Sequence, residues 1–203
     1  MANIKLKELS ESEKKEIREY LSGNPVITVK SGIIKADDEG TAIENARRWA
    51  DLHEQIIIRK DIGGVIFNGN GVKDSLSHGF GQRKLDAVQA IPATVKSGRI
   101  VKISSDYDGK PQKNIIIMAP IQAGDNRNIL AVRLVKNVGD DTRFYVHEVI
   151  DIPEVNKKGN TIRPSALDLT ARPQGGTALY LNILQDIWNV NDLQENSKFD
   201  KKS

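Results

Sequence analysis

The sequence predicts an α+β fold, with N-terminal helices packed on a four- to five-stranded, mostly antiparallel sheet and a C-terminal helical extension. Three observations predict it. Two stretches near the N-terminus place apolar residues at helical spacing, the middle of the chain is dominated by β-branched runs of strand length, and an apolar helical stretch follows a loop-rich interval near the end.

In chain order, Leu9 to Leu21 reads as a short helix. Ser10 or Ser12 can cap it, Glu13 lies in its first turn, and Ile17 and Leu21 sit four apart on one face. Ser22-Gly23-Asn24-Pro25 breaks it, and Pro25 to Val29 reads as a short strand. Asp37 or Asp38 starts a second helix running to about His53, with Ile43, Ala46, Ala50 and His53 on one stripe and Trp49 beside it. A histidine ending an apolar face reads first as a helix-end cap. Gln55–Arg59 and Val65–Asn68 read as strands around the turn Asp61-Ile62-Gly63-Gly64. Asn68-Gly69-Asn70-Gly71 reads as a second turn. From Gln82 to about Val95 a third amphipathic helix is expected, kinked or restarted at Pro92. Strands follow at 99–104, 114–119, 128–136 and 142–150, then loop from Asn156, a helix from Leu179 to Val190 and a charged tail expected to be disordered. The division expected is a domain over residues 1–152 and a loop–helix extension over 153–203.

At 203 residues with 38% apolar and 28% charged residues, the chain is long enough for one sizeable domain with a well-solvated surface. No apolar run has the length of a membrane span, and the first residues carry no signal-peptide pattern, so no membrane partner is expected. Zero cysteines excludes disulfides, thiolate catalysis and cysteine zinc sites, and fits a cytosolic or phage-delivered protein. Three scattered histidines argue against a histidine metal cluster, and no metal or other cofactor is expected. A net charge of +3 permits a polyanionic partner without demanding one.

The densest concentration of reactive side chains is Asp74 to Lys84. His78 lies there beside glycines that let the backbone bring a ring against a ligand, with Ser75, Ser77, Arg83 and Lys84 nearby. The competing structural reading is a polar strand-to-helix turn. On the last hairpin, alternation puts Phe144, Val146 and Ile150 on one face and Arg143, Tyr145 and His147 on the other. An odd-numbered loop at Gly139-Asp140-Asp141 pairs Leu134 with Val146 and Arg133 with His147, so Arg133, Tyr145 and His147 are expected to share a polar face. Alternation of this kind usually marks a merely solvated face. The side chains present nonetheless suit phosphodiester cleavage without a metal: two imidazoles for the proton transfers, arginine and lysine for the phosphate, tyrosine to donate or stack. Spacing does not itself bring the loop and the hairpin together.

Ser75-Leu76-Ser77-His78-Gly79, the helix with Lys84 ending at Ile91-Pro92, Ile117-Met118-Ala119-Pro120, Val132-Arg133-Leu134-Val135 and Arg143 to Glu148 follow one another as in a phage domain family. Over roughly residues 9–152 the chain resembles the large polyvalent protein-associated domain of the barnase–EndoU–colicin–RelE-like nuclease group, found in phage and mobile-element polyproteins including MuF-type toxins. The resemblance implies a metal-independent ribonuclease toxin or effector that cleaves RNA, tRNA being the favoured substrate, through a 2′,3′-cyclic phosphate. It implies catalytic roles for His78, His147, Lys84, Arg133 and Tyr145, with Ser75, Ser77, Arg83 and Arg143 as substrate contacts. It also implies a cognate immunity or antitoxin protein as a partner. The alternative is a non-catalytic nucleic-acid- or protein-binding phage accessory domain with the same fold; zinc deaminase chemistry is disfavoured by the missing cysteines.

Overall fold

The computed structural model describes residues 9–35, 39–53, 55–77, 81–107, 110–137, 144–153 and 176–188. The first helix, α1 (Glu11–Ser22), starts where the sequence says it should. Ser10 Oγ accepts from the Glu13 backbone N–H while the Glu13 carboxylate accepts from the Ser10 N–H, a capping box that satisfies two end donors. Ile17 and Leu21 are buried.

The remaining elements are β1 (Thr28–Val29), α2 (Glu39–Asp51), β2 (Ile56–Arg59), β3 (Gly63–Ile66), α3 (Gly69–Ser77), α4 (Gln82–Val88), α5 (Ile91–Ser97), β4 (Arg99–Tyr107), β5 (Lys110–Ala123), β6 (Asn126–Asn137), β7 (Phe144–Pro153) and α6 (Gly176–Trp188). The helix expected from 82 to 95 does restart at Pro92, which lies in the first turn of α5 where its missing N–H costs nothing. Asn68-Gly69-Asn70-Gly71 is not a free turn, as expected, but the opening of α3. Asn68 Oδ1 accepts from the Asn70 and Gly71 N–H groups, and Asp51 Oδ1 accepts from Gly69 N–H at 2.8 Å. A Cβ at Gly69 would meet Asp51 Oδ2 at 2.9 Å, so a larger residue there would push aside the carboxylate that caps α3.

The fold is α+β. Four long strands, β4 to β7, form an antiparallel meander, and three short strands extend it into one seven-stranded mixed sheet. The path runs β1-β5-β6-β7-β3-β2, with β4 also on β5. β1 lies parallel to the end of β5, and β3 lies parallel to the start of β7, Val65 beside Phe144. Leu130, Val132 and Leu134 of β6 and Ile115, Ile117 and Ile121 of β5 meet α2 to α5 in the larger core. The opposite phase, Ile116, Met118, Ile129 and Ala131, meets α1 and α6. The α6 side chains Tyr180, Leu184, Ile187 and Trp188 are buried there, so the C-terminal helix lies on the sheet. Lys14 Nζ reaches Asp186 at 2.8 Å, and an Arg18 N–H donates to the Ile187 carbonyl at 2.6 Å. No helix among the described residues is long and apolar enough to cross a membrane.

Arg59, at the end of β2, joins distant parts of this frame. Its guanidinium donates to the Val95 and Gly98 carbonyls at 2.7 and 2.8 Å, and its Nε donates to Asp61 at 2.7 Å. The strand at one end of the sheet is thereby fixed to the start of the strand at the other.

Candidate functional site

The structure brings both helices that flank the His78 loop against β7. α3 and α4 pack on that strand from the side of the larger core. His78, Gly79 and Phe80 lie outside the described residues, as does Arg143; Ser77 is the last residue of α3.

The two ends of the loop are firmly placed. Lys84, in the first turn of α4, donates from Nζ to the Ser75 carbonyl at 2.5 Å. A cation on the last carbonyls of a helix answers the negative end of its dipole, so Lys84 closes α3 from across the loop. Ser75 is buried and Arg83 is exposed. Behind the loop, Gln82 donates to the Ile34 carbonyl at 2.9 Å and to Asp86 Oδ1 at 2.8 Å. Asp86 is 3% exposed, and its carboxylate also accepts from Ser31 Oγ at 2.5 Å and Gly32 N–H at 3.0 Å. Three donors are what a buried carboxylate needs to stay in place. Gly32 has φ +77, a conformation that favours glycine. Sequence reasoning missed Asp86, since the residues around it, Leu85, Ala87 and Val88, are all buried and no periodicity singles it out.

On the sheet, Leu134 pairs with Val146 as the odd-numbered loop predicts. The expected partner of Arg133 is corrected: Arg133 pairs with Glu148, because the ladder carries a β-bulge between Arg133 and Leu134 that leaves His147 as the extra residue of β7. One inserted residue shifts the phase, so Val132 pairs with Val149 where the unbulged register would set Glu148, and Ile150, expected on the face of Val146, pairs with Ala131 in the opposite phase. Tyr145 pairs with Val135 on one side and Ile66 on the other.

Arg133 is not on a solvated face. It is 3% exposed, in phase with Ile129 and Ala131 on the side of α1 and α6, and its Nε donates to Asn114 Oδ1 at 3.0 Å. The His78 loop joins helices on the other side of the sheet. The structure therefore brings α3 and α4, the helices on either side of residues 78–80, onto β7, the strand that carries His147, and sets Arg133 apart on the opposite side of the sheet. Asn114, close to the β6 partner through a diagonal of the ladder, was the signal that could have flagged Arg133: a buried-strand pattern interrupted by one amide.

His53 ends α2 as a cap. Its Nδ1 lies 2.6 Å from the Trp49 carbonyl, which can only accept, so the proton sits on Nδ1. The imidazole stacks on the Trp49 indole at 3.8 Å and is exposed. Among the described residues no group of three or more histidine, aspartate or glutamate side chains is placed to hold a metal ion.

The family profile of large polyvalent protein-associated domain 3 matches residues 37–145, just over half of the chain. This span runs from α2 to the start of β7, takes in the His78 loop, Lys84 and Arg133, and is narrower than the 9–152 expected. Comparison with curated proteins gave no match, and comparison with solved structures gave none.

Proposed function

Because the chain belongs to the large polyvalent protein-associated domain 3 family, a group of phage-associated domains, we propose that it is a metal-independent ribonuclease toxin or effector of the barnase–EndoU–colicin–RelE-like group. The observation that supports this reading is the bulge at His147, on the strand against which α3 and α4 carry the two ends of the His78 loop. Bulges re-aim one side chain out of a regular ladder, and they recur beside active sites. One imidazole takes the proton of a ribose 2′-hydroxyl, whose oxygen attacks the phosphorus. The other protonates the departing 5′-oxygen, leaving a 2′,3′-cyclic phosphate. Arg83 and Lys84, beside the loop, supply positive charge for the phosphorane; Ser77, Tyr145 and Arg143 remain candidates for substrate contact, whereas the buried Ser75 belongs to the fold. Arg133 is reassigned to the fold.

The test is incubation of the purified chain with total tRNA in EDTA between pH 5 and 8. Products ending in cyclic phosphate are expected, with a bell-shaped pH profile, and with His78→Ala and His147→Ala each lowering the rate by about a hundredfold or more. Intact tRNA at every pH overturns the reading, and undiminished cleavage by His78→Ala overturns the site.

A second reading is favoured by Lys84, whose ammonium is held on the Ser75 carbonyl, and by Arg133, which is bonded within the core. Cations so engaged suit a non-catalytic accessory domain that binds RNA or protein. It predicts salt-sensitive RNA binding without products.

A further inference from the structure

The sheet path ends at β2, so the outer edge of that strand carries no further strand among the described residues. Phe67 N–H donates to the Gln55 carbonyl, and the β2–β3 register continues from there as Ile56–Ile66, Ile57–Val65 and Ile58–Gly64. In an antiparallel ladder the bonded pairs alternate, so Gln55 and Ile57 turn their backbone groups to β3 while Ile56 and Ile58 turn theirs outward. The side chains of these same two residues are exposed, Ile56 at 40% and Ile58 at 67%, whereas Ile57 is fully buried in the core with Ile91 and Val95 of α5. A short edge strand presenting both unpaired amides and two bare isoleucines is what edge strands normally avoid.

The residues around this edge are self-complementary. Reading Glu54-Gln55-Ile56-Ile57-Ile58-Arg59-Lys60 against itself in the antiparallel sense, with Ile57 at the centre, sets isoleucine against isoleucine and carboxylate against ammonium. We propose that β2 is a homodimer interface, in which two copies of this chain pair their β2 strands antiparallel about a two-fold axis at Ile57. Ile56 of each copy then bonds to Ile58 of the other through outward N–H and C=O groups, and the four isoleucines close over one another on a single face. Ile66, beside Ile56 on β3 and half-buried, widens that apolar strip. Lys60, exposed just past the strand, comes opposite Glu54 of the other copy; Glu54 enters through its place in the sequence, as it lies outside the described residues. The registers that centre on Ile56 or Ile58 satisfy the same backbone parity but set Glu54 against Ile58 or Lys60 against Ile56, leaving an isoleucine beside a charge. A two-fold axis requires this kind of isologous match, and charge placement fixes the register.

A four-residue strand pair buries little area, so the association is a weak and reversible one. Sedimentation velocity of the full chain from about 5 to 500 μM should show a concentration-dependent monomer–dimer equilibrium. Ile58→Lys, at an exposed position, should abolish it. Lys60→Glu should weaken it about tenfold or more by opposing two carboxylates twice over, and adding Glu54→Lys to that variant should restore the parental affinity. Near-UV circular dichroism confirms that each variant is folded. A chain that stays monomeric throughout the range overturns the proposal, as does a dimer indifferent to Ile58→Lys. A double charge exchange no tighter than Lys60→Glu alone overturns the register and with it the two-fold pairing.

Discussion

Arg133 shows at the scale of one residue how a charge can be placed for packing. Its guanidinium is enclosed between the sheet and the α1/α6 layer, and Asn114 accepts from its Nε. Arg133→Met keeps most of the volume but takes the donor from Asn114 Oδ1 in the core, so it should cost about 1–3 kcal/mol. Asn114→Ala leaves the buried guanidinium short of an acceptor and should cost about 3 kcal/mol, read from the chemical denaturation midpoint. If Arg133 served substrate instead, Arg133→Met would lose RNA affinity with unaltered stability. Asp61 is a second residue-scale case. The Arg59 guanidinium beside it holds its carboxyl below the ordinary value of 3.8. A carboxylate lowered on folding contributes stability that is present above its unfolded pKa and lost as pH falls through the folded one. Asp61→Asn should therefore lower the melting temperature slightly at pH 7 to 9, where the paired carboxylate contributes, and leave it unchanged at the acid end where that contribution is already lost, so the decline with falling pH is shallower.

At the scale of elements, α6 offers the clearest energetic prediction. Leu184 is fully enclosed against the second face of the sheet, so Leu184→Ala should cost roughly 2–5 kcal/mol in global unfolding. The Lys14–Asp186 pair ties the same helix to α1 and raises the Lys14 pKa through the carboxylate hydrogen bonds of Asp186 and Glu11. A raised lysine contributes stability that is fully present below its unfolded pKa near 10.5 and is lost as pH rises through the folded one. Elements of this kind were legible in the sequence wherever one physical signal dominated. The Ser10–Glu13 capping box, the break at Pro92 and the Leu134–Val146 register all follow from local chemistry. What escaped was set by distant contacts. Glycines and asparagines at 68–71 read as a turn; Asn68 caps the start of α3 locally, and Asp51, supplied by another helix, takes the Gly69 N–H to complete it. The His147 bulge is one extra residue in a ladder, and strict alternation cannot announce where it breaks. The site suffered most, because Arg133 was assigned a face by phase alone, and phase does not say whether a helix covers that face.

For the whole molecule, the parallel pairing of Val65 with Phe144 has a consequence in time. The meander β4 to β7 joins neighbours along the chain, whereas β3 must find a strand far away in sequence before it can pair, and the entropy of closing that long loop delays the step. The hairpin β2–β3, together with α3 that follows it, is then expected to dock late on an already formed β7. What assembles late through few strand contacts also opens first, so amides of α3 and β3 should exchange with solvent faster than those of β5 and β6 in native-state hydrogen exchange. The surface where α3 and α4 meet β7 would thus be the molecule's most readily opened seam, and a partner that bound there would slow exchange across it far from its own footprint.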